Sequence, residues 1–302
     1  KKEGRHQTLG EVMKNAKNAN KNVKVMSFVL IGDPALTLAY ADDYNMDITE
    51  INGKPVTEEP VTFKAFEKIT INGNVNKADG SIAGDFNGLL SVSVFDSQEQ
   101  RKTLDNNKTD TVFTYSDYPY MIYTGNDSVR NGEFSFTFTV PKDISYLYQN
   151  GKISLHAADE DNGKEANGSF KNLTVGGTDE NAGEDANGPG IRAMYLNTED
   201  FKDGDKVNET PMFAAIVWDE NGINVGGSAI GHDITLIIDD NPTLNYVLNS
   251  YYSTYLEGEE GEGIIKFPVR LLESGQHTGK FTVTATHNNS STTTFSFVVK
   301  DT

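Results

Sequence analysis

Asn-Gly pairs recur at positions 52, 72, 87, 131, 150, 162, 167, 187 and 221, and Asp-Gly pairs at 79 and 203. Both dipeptides supply the positive φ angles that two-residue hairpin turns require. Between them lie short runs rich in Val, Ile, Thr, Phe and Tyr. A chain punctuated this way after residue 40 reads as mostly β. Strands are expected over 66–75, 89–95, 133–140, 152–158, 191–196, 212–218, 234–239, 263–271, 279–286 and 293–300. Phe134, Phe136 and Phe138 alternate with Ser135, Thr137 and Thr139, the period of a half-buried strand. The stretch 176–190 is acidic, glycine-rich and free of large apolar side chains, so it reads as a junction that few contacts hold. It divides the β region into two consecutive immunoglobulin-like β-sandwich domains, 41–178 and 186–302.

The first 40 residues have a different texture. Leu9, Val12, Met13 and Ala16 recur at helical spacing behind a Thr8/Glu11 capping box, which predicts a helix over 8–19. A nearly continuous apolar run over 23–31 then suits a strand buried on both faces of an α/β sheet. One helix and one strand make no domain. Residues 1–40 are therefore expected to be the last unit of an α/β domain whose body precedes Lys1, and the chain a piece of a longer protein.

Charge narrows the function. Of 302 residues, 44 are Asp or Glu and 26 Lys or Arg, a net charge of −18. Such a surface repels phosphate backbones, so nucleic acid is not an expected partner. No apolar run is long enough to span a membrane as a helix. Cysteine is absent, which excludes disulfides, thiolate metal sites and a cysteine nucleophile within this chain.

The chemistry-bearing residues are few. His232-Asp233 is the most enzyme-like pair, with Ser228 nearby, but adjacent strand residues point to opposite faces and the pair equally marks a turn before the strand at 234. His6, His156, His277 and His287 lack zinc-ligand spacing. Asp159-Glu160-Asp161 and Asp179-Glu180 with Glu184-Asp185 place hard oxygens beside flexible glycines. Asp159, Asp161, Asp179 and Asp185 are thus calcium candidates, the alternative being acidic solvated loops. Asp239-Asp240 and the acidic run 257–260 are weaker clusters of the same kind. No other cofactor is expected. Tyr115, Tyr118, Tyr120 and Tyr123, and Tyr246, Tyr251, Tyr252 and Tyr255, form either sugar-stacking platforms or packing contacts between modules. Asp110-Thr111-Val112 and Asp127-Ser128-Val129 have the form of short O-glycosylation sites.

Several strings, in order, carry a family resemblance: Phe28-Val29-Leu30-Ile31-Gly32-Asp33-Pro34-Ala35-Leu36, Phe86-Asn87-Gly88-Leu89, Val94-Phe95-Asp96, Phe138-Thr139-Val140-Pro141-Lys142-Asp143-Ile144, Gly151-Lys152-Ile153-Ser154-Leu155, Trp218-Asp219-Glu220-Asn221-Gly222-Ile223-Asn224 and Ile230-Gly231-His232-Asp233-Ile234. With these the chain resembles the C-terminal region of gingipain-like cysteine proteases, and among them the PorU-type sortases of type IX secretion. The resemblance implies a caspase-like catalytic domain that ends near Pro34, with its His–Cys pair upstream, followed by non-catalytic sandwiches at the cell surface. It implies as partners the upstream protease domain and outer-membrane secretion components or protein substrates. The rival reading is a carbohydrate-binding or adhesion module of a bacterial surface protein.

Overall fold

The computed structural model describes residues 6–20, 22–38, 44–106, 108, 111–226, 231–259 and 261–300. Two compact units result, 1–42 and 43–302.

In the first unit the helix Leu9–Ala19 forms where expected. The Thr8 hydroxyl accepts from the Glu11 amide and the Glu11 carboxylate accepts from the Thr8 amide, the reciprocal capping box. The expected strand over 23–31 does not form. Val23–Met26 is a single helical turn, and the residues after it are irregular and exposed, Ile31 to 94%. The cause is local. A strand of that composition needs partners on both edges and cover on both faces, and the described residues of this unit offer neither.

The second unit is built from two β modules. The first uses β1 (Tyr44–Ile51), β2 (Lys68–Lys77), β3 (Gly88–Phe95), β4 (Met121–Arg130), β5 (Glu133–Thr139), β6 (Lys152–Asp159) and β7 (Lys164–Phe170). They run in the order β7-β6-β3-β4-β5-β2-β1, and Asn45 of β1 pairs in parallel with Asn167 of β7. The expected open sandwich is therefore a closed seven-stranded barrel. Closure depends on Gly168: a Cβ there would lie 2.4 Å from the Met46 carbonyl oxygen, so only glycine lets β1 approach. The Asn131-Gly132 turn between β4 and β5 has both residues at positive φ, 52° and 76°, the two-residue hairpin its sequence predicts. Asn72-Gly73 and Asn167-Gly168, by contrast, lie inside strands, not in turns.

The barrel interior is filled by alternate residues of each strand. Phe138 faces Ile69 and Phe136 faces Ile71, while Gly73 leaves room for the Phe134 ring. Burial of such side chains, about 1.5–3 kcal/mol each, is what holds the register. A small outer sheet joins Val61–Ala65, Gln149–Asn150 and Leu173–Thr178.

The second module is a two-sheet sandwich. One sheet orders β8 (Gly190–Leu196), β9 (Met212–Trp218), β12 (Glu262–Pro268) and β11 (Tyr252–Thr254). The other centres on β14 (Ser290–Val299), β13 (Gly275–Thr284) and β10 (Thr235–Ile238), with two short edge strands. Phe213 of the first sheet packs on Phe281 and Phe295 of the second, at ring distances of 5.2 and 6.1 Å. The two cores span Met46–Val175 and Leu196–Val299. No helix among the described residues is long and apolar enough to cross a membrane.

Candidate functional site

The junction between the modules gathers most of the polar groups that sequence reasoning left scattered. Asp143, in the loop after β5, is its hub. Asn288 donates to one carboxylate oxygen at 2.8 Å, and the other lies 3.2 Å from Asn224 Nδ2 and 2.5 Å from His232 Nδ1. All three partners belong to the second module. The Lys142 amide donates to the Thr286 carbonyl across the same boundary, and Phe66 stacks on His287 at 4.5 Å. His232 is thus held by Asp143 of the first module, and not only adjacent to Asp233 in sequence. Ser228 lies outside the described residues, as do Ile230, Asp110 and Glu260.

Beside this hub two neighbouring strands of the closed barrel splay apart. β4 and β5 pair only at Val129–Phe134 and Arg130–Glu133. Beyond that the strands part, and from Ser135 to Thr139 β5 is paired, among the described residues, on one side alone, with β2. The edge strand β11 of the second module leans against the other lip. The Thr254 hydroxyl accepts from the Asn126 amide at 3.0 Å, and Gly125 makes room for it and for the Tyr123 hydroxyl. Tyr123 stacks on Phe138 at 4.8 Å, and burial pushes its hydroxyl up to about 12. Burial raises Tyr252 too. The result is a cleft of about 450 Å3, walled by the β5 edge, by Tyr252–Tyr255 and by the 219–223 turn.

Asp219 lines that cleft, 3% exposed. One of its carboxylate oxygens accepts from the Asn221 amide at 2.9 Å; the other is buried without a hydrogen-bond partner. Burial first, then the charges of Asp185 and Glu220, hold its pKa well up, at about 6. Glu262 and Glu259 at the far wall both reach Arg192, the former at 2.7 Å, and the Arg192 guanidinium lies over the Trp218 ring at 5.1 Å.

The calcium candidates are not brought together. Asp159, buried, accepts from Asn87 and Asn162 and closes the β6–β7 turn, while Asp161 is exposed. Asp179 turns onto the Asn181 amide. Asp185, its side chain 3% exposed, accepts from Asn221 and lies 3.9 Å from His287. Among the described residues no three His, Asp or Glu side chains are arranged to hold a metal ion. Asp185 also corrects the expectation of a loosely held 176–190 stretch. Its side chain and carbonyl, the latter bound by Asn289 at 2.7 Å, pin that stretch to the second module. The tyrosine groups form no shared platform. Tyr123 and Tyr252 are packed at the cleft, Tyr246 and Tyr251 lie against Phe267, and Tyr115 sits on a separate hairpin, Glu99–Lys102 with Thr114–Asp117.

Fold and site together define a mostly β, two-module unit with no cysteine nucleophile and an acidic cleft at its seam. No protein-family model matches the chain, and no curated protein does. Among solved structures it is similar to dimeric latent PorU from Porphyromonas gingivalis, with 33% identity and a TM-score of 0.53 over 100% of this chain. The chain spans 28% of that protein's length. A bacterial ice-binding adhesin of 1.5 MDa matches 86% of this chain and 65% of its own at 15% identity, TM-score 0.23. Spo0M from Bacillus subtilis matches 75% and 90% at 12% identity, TM-score 0.28. Neither of these two bears on function.

Proposed function

We propose that this chain is the non-catalytic β region of a PorU-type, gingipain-like cysteine endopeptidase of type IX secretion at the cell surface. It supports the protease domain and docks partners or substrates. The observation that carries the reading is the 33% identity to PorU along the whole chain, in a sequence without cysteine. In this reading the catalytic His–Cys pair lies upstream, in a caspase-like domain of which residues 1–40 are the end. The exposed apolar side chains of Phe28, Val29 and Ile31 then form the face turned to that domain. The two modules act as one support because Asp143 ties them together.

The purified chain is the test. Incubated with peptides spanning the C-terminal signals of secreted proteins, it should give no cleavage product by mass spectrometry. Turnover that survives repurification and is lost in a His232→Ala variant would sink the reading. Specific capture on a glycan array, with no effect on secretion when the region is removed, would favour the adhesion alternative.

A further inference from the structure

We infer that the seam cleft receives a short extended segment of a partner polypeptide carrying basic side chains, added as a strand along the free edge of β5. The inference rests on the docking role proposed above and gives that role a partner chemistry.

Three independent observations converge. First, Ser135–Thr139 is extended and, among the described residues, paired on one side only, so alternate backbone N–H and C=O groups face the cleft. A strand edge of this kind is satisfied by an added strand, which brings main-chain hydrogen bonds and leaves side-chain specificity to the walls. Second, the walls are acidic. Asp127, Asp219, Glu220, Glu259 and Glu262 line the cleft and Lys68 is the one basic residue among the described lining, with Arg192 engaged by the two last-named glutamates. Third, Asp219, which lines the cleft, keeps one carboxylate oxygen buried and unpartnered. An unpaired buried carboxylate is costly, and a cation set into the cleft relieves that cost. An ammonium or guanidinium on an aliphatic stem suits a cleft walled by both tyrosines and carboxylates. A bare metal ion does not, because the described acidic groups do not converge on one point. The volume of about 450 Å3 lies within the usual range for ligand pockets.

The only tryptophan, Trp218, adjoins Asp219 and serves as the reporter. The full chain is titrated at pH 7.5 with the peptide acetyl-TKVKT-amide, its glutamate counterpart acetyl-TEVET-amide, a backbone N-methylated TKVKT, and spermidine. Saturable fluorescence change is expected with TKVKT. The glutamate and N-methylated peptides should bind at least about tenfold more weakly. Spermidine, which carries charge without a backbone, should not compete at equal concentration. Asp219→Asn and, as a second variant on the exposed rim, Glu220→Gln should each weaken TKVKT by about fivefold or more, while Asp161→Asn leaves it unchanged. No saturable change below about 1 mM, equal binding of TEVET, or full competition by spermidine overturns the inference. Such a result leaves the docking role standing if removal of the region still abolishes processing of secreted proteins; retained processing removes that role whatever the peptides do.

Discussion

Asp219→Asn should stabilise the protein at neutral pH and do nothing of the kind in acid. The folded state raises the Asp219 pKa from 3.8 to about 6. The groups responsible are its own burial and the neighbouring carboxylates of Asp185 and Glu220, with His287 beside Asp185. A raised carboxyl pKa means that the folded chain holds this proton more tightly than the unfolded chain. Between pH 4 and 6 the folded state therefore binds more protons, and the Asp219 contribution to stability falls as pH rises through that window. Two pKa units correspond to a ceiling of ~3 kcal/mol, and access of water to the cleft reduces this to about 1–2 kcal/mol. Asparagine keeps the oxygen that accepts from the Asn221 amide and removes the charge. Urea unfolding of both proteins at pH 4.5 and 7.5 gives the test. The variant's advantage should grow by about 1–2 kcal/mol between the two pH values, or about 2–4 °C of Tm per kcal/mol for a unit of this size. An advantage that is constant with pH, or that shrinks toward neutrality, refutes the assignment of a buried, unpaired charge.

Asp143→Ala removes the acceptor for Asn224 and Asn288 and the partner of His232. It should cost about 2–4 kcal/mol, split one calorimetric transition into two, and speed proteolysis in the exposed residues around Glu180–Glu184. Gly168→Val drives a side chain into the Met46 carbonyl and should cost about 3 kcal/mol or more by urea unfolding, whereas Gly53→Ala, in open space at φ +71°, should cost about 1 kcal/mol. Calcium and magnesium at equal concentration should shift Tm alike. A calcium-selective shift would instead place an ion at Asp159–Asn162 or Asp179–Asp185.

The sequence exposed the strands and concealed their closure. The ten strands expected after residue 40 all form, because their alternation is a local property. Among the strands it missed, β1, β4 and β7 are the ones that turn the sheet into a barrel. Each carries residues that also mark turns: Asn45 and Asp47 in β1, Gly125-Asn126-Asp127 in β4, Asn167-Gly168 in β7. Gly125 and Gly168 are there for close approach of another segment, a long-range requirement that local patterning does not encode. The run at 23–31 failed for the converse reason, since its composition asks for partners that the described residues lack. The site was half legible. Asp219 and Asp143 both lie in strings that carried the family resemblance, and Asp219-Glu220-Asn221-Gly222 reads as a turn. Nothing local shows that one oxygen of the cleft-lining Asp219 is left unpaired, because the cleft forms between modules some 80 residues apart in sequence, as Asn224 and Asp143 are.

The most direct measurement is made in the cell, on the longer protein that the proposed function requires. Residues 43–302 are deleted from it while its catalytic residues stay intact, and its abundance at the surface is checked by immunoblot. The C-termini of secreted type IX clients are then read by mass spectrometry. Those signals should then stay uncleaved. Normal trimming by a surface-exposed protein that lacks this region would contradict the proposed role.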